Sequence, residues 1–156
     1  MAVTLNASTS TGLVQSADTS GVITLQNNGT NAVTVDNGNL QFNSGYGSVA
    51  TAYGCRAWVN FNGTSTVSIR ASGNVSSITD NGSGDYTVNF TATLVDANYA
   101  TQVTGSTTSG APGGSDGFAG YLNSSTTPST SAVRVGFHHP GQGDRDALYA
   151  NVSIFR

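Results

Sequence analysis

Four Asn-Gly pairs punctuate this chain, at Asn28-Gly29, Asn37-Gly38, Asn62-Gly63 and Asn81-Gly82, and short runs of alternating apolar and polar residues lie between them. Both residues of the pair tolerate positive φ, so Asn-Gly beside alternating residues is the strongest short-range signal for a β-hairpin. The run Cys55-Arg56-Ala57-Trp58-Val59-Asn60-Phe61 shows the alternation most clearly. Side chains along a strand point to opposite faces in turn, which sets Ala57, Val59 and Phe61 on one side and Arg56, Trp58 and Asn60 on the other. No helical apolar period is sustained anywhere, and Lys and Glu, two good surface helix formers, are absent. Thr, Ser, Asn, Gly and Val dominate instead, the residues of strands, turns and polar outer faces. An all-β fold is predicted.

With 156 residues the chain suffices for one well-packed domain plus a short attachment segment. Disorder of the whole chain is disfavoured, because only 8% of residues are charged while β-branched residues are common and most of the 13 aromatics fall within the strand patterns. Residues 1–20 are Ser/Thr-rich with few large apolar groups and are expected to be an arm ordered by a neighbour. Gly21 to Phe42 predicts a hairpin with a further turn, and the Gly-containing stretch Asn43 to Tyr53 a hinge. The expected division is an N-terminal arm and β-hairpin attachment segment over 1–47 and a head domain over 48–156.

Candidate head strands run from Cys55 to Phe61, Ser65 to Ser72, Val75 to Thr79, Asp85 to Leu94, Ala97 to Thr104, Gly117 to Leu122, Ala132 to His138 and Ala147 to Phe155. Strands spaced by roughly ten residues with turn signals between them predict a β-sandwich or jelly-roll-like head. Alternation predicts four core-facing sets: Val67, Ile69 and Ala71; Tyr86, Val88 and Phe90; Val133, Val135 and Phe137; and Leu148, Ala150, Val152 and Ile154. So short a core list implies further apolar burial between subunits, through Trp58, Tyr149 and Phe155 on the opposite strand faces.

The chemistry is sparse. A net charge of −3 with five Arg in no cluster argues against nucleic acid as a partner. No run approaches the ~18–20 apolar residues of a membrane-spanning helix, and the start lacks the pattern of a secretion signal, so a soluble protein not exported by that route is expected. Cys55 has no second Cys to pair with and reads as a small apolar side chain at a strand start. Eight Asn-x-Ser/Thr triplets reflect composition rather than glycan acceptors. His138, His139, Asp144 and Asp146 share one segment, with Asp116 and Asp85 as distant carboxylates. Glycoside chemistry needs two positioned carboxyl groups, and with no Glu in the chain these acids read as a polar loop, not an enzyme. No cofactor is expected. Tyr46, Tyr53, Tyr121 and Tyr149 are either platforms for the apolar faces of sugars or packing residues at subunit contacts, and the sequence leaves both open. The Pro/Gly/Ser/Thr-rich stretches Gly105 to Gly117 and Asn123 to Ser131 are expected to be recognition loops.

Three segments carry a resemblance: Arg56-Ala57-Trp58-Val59-Asn60-Phe61-Asn62-Gly63; Ile69-Arg70-Ala71-Ser72-Gly73-Asn74-Val75 onward to Asp80-Asn81-Gly82; and Gly84-Asp85-Tyr86-Thr87-Val88-Asn89-Phe90, followed by Asp96-Ala97-Asn98-Tyr99-Ala100. They resemble a domain of tail fibre and related virion surface proteins of tailed bacteriophages, notably those of marine bacteria and cyanobacteria. Leu25-Gln26-Asn27-Asn28-Gly29-Thr30 and Val33-Thr34-Val35-Asp36 are similar to segments that precede that domain. The resemblance implies a non-enzymatic virion component, made in the host cytoplasm, assembled as a homotrimer and docked to other virion proteins through its N-terminal arm. It further implies a short tail fibre or tail-tip protein that attaches to a host cell-surface glycan, or alternatively a capsid decoration (head fibre) protein without a host ligand. Receptor contacts would then fall on Tyr121, Asp116, Asn123, His138 and Arg145. In such a trimer one His from each chain, His138 or His139, has the geometry to meet an axial metal; a solvent-facing His pair before Pro140 is the preferred reading.

Overall fold

The structure, a computed structural model, describes residues 21–43, 49–106 and 118–156, and every regular element within them is a β-strand. The chain divides into two compact units, Met1–Ala52 and Tyr53–Arg156. The expected arm over residues 1–20 lies outside the described residues.

In the first unit, β1 (Ile23–Asn27), β2 (Thr30–Asp36), β3 (Asn39–Phe42) and β4 (Ala50–Thr51) form an antiparallel meander in that order. The two tight turns are the Asn-Gly pairs, with φ of 50° and 76° at Asn28 and Gly29 and 48° and 75° at Asn37 and Gly38, the double left-handed geometry that matches strand twist. Register aligns Ile23, Val35 and Leu40 in one row and Leu25, Val33, Phe42 and Ala50 in the next, all on one face. Thr24, Thr34, Gln41 and Thr51 form the matching row on the other. The stretch read as a hinge thus contributes β4 to this sheet.

The second unit contains β5 (Cys55–Asn62), β6 (Ser68–Gly73), β7 (Val75–Gly82), β8 (Asp85–Phe90), β9 (Ala100–Ser106), β10 (Ala119–Leu122), β11 (Ala132–His139), β12 (Gly143–Asp144) and β13 (Tyr149–Phe155). Two antiparallel sheets result: β6-β5-β13-β9, and β10-β11-β8-β7 with β12 on β11. Their inner faces share one core, which makes this unit a β-sandwich. Ala57, Val59, Phe61, Ala150, Val152 and Ile154 come from the first sheet, and Val75, Tyr86, Val88, Phe90, Val133, Val135 and Phe137 from the second. Phe61, Tyr86 and Phe137 meet edge to face, with centroids 5.1 Å apart for Phe61–Tyr86 and 6.0 Å for Tyr86–Phe137. Each fully buried large side chain contributes on the order of 1.5–3 kcal/mol.

The predicted facing sets hold on β5, β8 and β11 and fail on β6. Ile69 is 37% exposed and Ala71 is exposed, while Val67 alone packs onto the core. Ala71 lies opposite Asn60 and Ile69 opposite Phe61, leaving Arg70 as an extra residue. A bulge of this kind breaks the two-residue period, so the alternation expected from Val67 to Ala71 is lost. At the start of β13, Ala147 is buried and Leu148 only half-buried, because strand geometry begins one residue later, at Tyr149.

The other two Asn-Gly pairs do not make two-residue hairpin turns. The Asn62 side chain folds onto Thr64, donating to its carbonyl at 2.9 Å and accepting from its hydroxyl at 2.8 Å. Asn81-Gly82 ends β7 in a bulge, and the turn itself falls on Ser83-Gly84.

Candidate functional site

The outward face of the β10-β11-β8-β7 sheet carries polar side chains among small residues, because the large apolar inward positions are taken by the core. On β11 the outward series is Ala132, Arg134, Gly136 and His138, and β8 offers Asp85, Thr87 and Asn89. Arg134 grips Asp85 with two parallel bonds, Nε to Oδ1 at 2.8 Å and Nη2 to Oδ2 at 2.5 Å. That planar fork is the geometry guanidinium and carboxylate prefer. The Arg134 guanidinium holds the Asp85 carboxyl below its usual range, and hydrogen bonds from Asn81 and Asn123 act in the same direction.

Beside this pair, Tyr121 lies directly opposite Gly136. Its ring fills the space a side chain would take: a Cβ on Gly136 would stand 2.2 Å from Tyr121 Cζ. The phenol donates to Asp144 Oδ1 at 3.3 Å, and the same oxygen lies 2.9 Å from His138 Nδ1. Partial burial, reinforced by the Asp144 carboxylate, raises the Tyr121 phenol above its ordinary range, so it stays a neutral donor at physiological pH. Further along the face, Asn81 donates to Thr87 Oγ1 at 2.9 Å, and Asn89 donates to Ser77 Oγ at 3.1 Å and Thr79 Oγ1 at 3.0 Å. These outward amides and hydroxyls are therefore held by their neighbours on adjacent strands.

Of the residues expected from sequence, Tyr121, Asn123 and His138 come together on this face. Asn123 sits where β10 ends, its N–H donating to the Arg134 carbonyl at 3.0 Å and its side chain accepting from Ser125 N–H at 2.9 Å. Arg145 lies past β12, and its guanidinium bonds to the Gln142 side chain. Asp116 and Tyr46 lie outside the described residues. His139, predicted to face solvent beside His138, is buried instead, because it points inward on β11 and its Nδ1 lies 2.8 Å from the Pro140 carbonyl. Asp146 turns inward as well, accepting from Tyr86 Oη at 2.7 Å and Gly84 N–H at 2.8 Å. Arg134 was missed by sequence reasoning. Its signal was an isolated Arg at an outward position of an otherwise apolar strand, but its partner lies 49 residues away.

The remaining tyrosines are elsewhere in the unit. Tyr149 lies on the outer face of the opposite sheet with the Arg70 guanidinium 4.4 Å above its ring, and Trp58 shares that face. Tyr53 borders a shallow cleft of about 350 Å³ lined also by Asn98, Ala100, Phe155 and Arg156, and Arg156 is paired with Asp96.

Chemically, the face carries one imidazole–carboxylate contact, His138 with Asp144, whose side chains are both about half exposed. Among the described residues no three His, Cys, Asp or Glu side chains are placed to hold a metal ion. Also among them, no helix is long and apolar enough to cross a membrane. The arrangement suits binding of a neutral polar ligand: fixed donors and acceptors, an aromatic ring in the sheet surface, and charges already paired. Comparison with protein-family models, with curated proteins and with solved structures finds no match to this chain.

Proposed function

We propose that this chain is a non-enzymatic virion surface protein of a tailed bacteriophage, a short tail fibre or tail-tip component that attaches to a host cell-surface glycan. The resemblance of the β5 to β8 segments to phage fibre domains supplies the class. The observation that carries the binding role is the Tyr121 ring set over Gly136 among Arg134–Asp85, Asn123, His138 and Asp144. A pyranose stacks its apolar face on such a ring while its hydroxyls exchange hydrogen bonds with side chains around it. Prealigned partners reduce the ordering cost of binding. In this reading the protein works as a homotrimer on the surface of the tail, docked to other virion proteins through residues 1–47, and neither inserts into membranes nor binds nucleic acid.

The test is calorimetric titration of the protein with purified host-surface polysaccharide. Tyr121→Ala is expected to weaken binding roughly tenfold, the loss of one stacking platform, while Tyr149→Ala on the opposite sheet leaves it unchanged. Absence of binding by the wild-type protein, together with cryo-electron-microscopy density on the capsid lattice, would replace this reading with capsid decoration without a host ligand.

A further inference from the structure

The N-terminal sheet has its apolar side outward. Ile23, Leu25, Val35, Leu40 and Phe42 are 52%, 54%, 39%, 52% and 45% exposed and share one face, whereas Thr34, at the centre of the opposite Thr/Gln row, is 7% exposed. Scaled by ordinary side-chain areas, those five residues leave roughly 400 Å² of contiguous apolar surface, the size of the largest patch on a soluble monomer, which is often functional. The second unit shows what such a sheet requires, since there each apolar sheet face is covered by another sheet.

We infer that this face packs against the same face of another copy of the chain, so that self-association is held by β1 to β4 rather than by the head. Three such faces turned toward a common axis remove roughly 1,200 Å² of apolar area, a fitting core for an interface of standard size. Charge is consistent with a like partner. Asp36 is the one charged residue from Gly21 to Asn43, and it lies at the turn end of β2, paired with Asn39, outside the apolar rows. The face therefore offers nothing to recognise a charged partner and nothing to repel an identical one. Rotation about one axis brings the same face of every copy together, so a single surface serves each contact. This inference rests on the proposed function only for the expected number of copies, three; it stands whether or not the head binds glycan.

Sedimentation equilibrium of the full chain from about 1 to 100 μM tests it, in wild type and in a Leu25→Thr, Leu40→Thr variant. Threonine keeps strand propensity and reproduces the opposite face. The wild type is expected to self-associate and the variant to need at least tenfold higher concentration to do so, with the Trp58 emission of the second unit unchanged. Hydrogen exchange of the wild type supplies a readout free of any folding defect: protection of β1 to β4 amides should fall on dilution. A wild-type monomer throughout this range overturns the inference. If its β1 to β4 amides stay protected at every concentration, residues 1–20 of the same chain cover the face; if they are unprotected, the occupant is a different protein. A variant that associates as the wild type does overturns it too.

Discussion

Removing one oxygen from Tyr86 tests how the sandwich core is tied to its rim. The ring is fully buried between Phe61 and Phe137, and its phenol lies 2.9 Å from the Gly63 carbonyl and 2.7 Å from Asp146 Oδ1. One phenolic proton faces two acceptors, and the carboxylate is the stronger. Tyr86→Phe keeps the ring contacts and deletes only this tie, so its effect is that of one hydrogen bond to a charged group, about 2 kcal/mol. For a two-state unit of about 100 residues that is a fall in Tm of roughly 8–12 °C. Urea unfolding followed by Trp58, the single tryptophan and a member of this unit, measures it directly. Asp146→Asn alone and combined with Tyr86→Phe completes a cycle, and the two substitutions should be non-additive by at least ~1 kcal/mol. A Tyr86→Phe loss below ~0.5 kcal/mol, or strict additivity, would refute the assignment of Asp146 as the effective acceptor.

Three further outcomes are expected. Asn74 has φ of 56°, donates to the Arg56 and Ala92 carbonyls at 3.1 Å each, and accepts from Ala92 N–H at 2.7 Å, so Asn74→Ala should lose about 2–3 kcal/mol by urea titration. Asn74→Gly, which keeps the backbone and loses the bonds, should lose measurably less. In Gly136→Ala the added methyl displaces the Tyr121 ring from its seat; the phenol should then titrate nearer 10.0 in ultraviolet difference spectra, with a stability loss of about 1–2 kcal/mol. Stability should be limited at both ends of the pH range. Asp85 and Asp96, lowered by their Arg partners, contribute above 3.8 and lose that contribution as pH falls through their folded values. The Tyr86 phenol, raised chiefly by burial, contributes below 10.0 and loses it as pH climbs above that value and the unfolded chain ionises. Urea midpoints across pH 2 to 11 check both limits, and Tyr86→Phe should flatten the alkaline one.

Strands with uninterrupted alternation were legible from sequence: β5, β8 and β11 lie where the period of two put them, with the same residues inward. The period carries no information about bulges, which is why Arg70 displaced the reading of Ile69 and Ala71. The strand expected to reach Leu94 stops at Phe90, because the chain turns and Leu94 N–H bonds to the Thr130 carbonyl instead. β12 was hidden inside a Pro/Gly loop, since two residues are too few to show a pattern. Tyr121, Asn123 and His138 could be named as polar or aromatic residues near loops. Their common face could not, because it depends on β10 and β12 flanking β11. The apolar row of the N-terminal sheet was present in the hairpin pattern, but only the register across four strands makes it one continuous surface.

The position of β13 governs how this molecule reaches its native state. β13 runs between β5 and β9, and the Asn60 to Asn151 side-chain bond joins residues 91 apart in sequence. The hairpins β5–β6, β7–β8 and β10–β11 close short loops and form locally, but nothing in the sheet joins β5 to β9 until β13 arrives between them. Such non-local pairing places folding in the range of milliseconds to seconds. During that interval β5 presents an unpaired edge beside Val59 and Phe61. Refolding at low protein concentration therefore favours each chain's own β13, whereas crowded refolding gives the same strand of a neighbouring copy time to fill the slot.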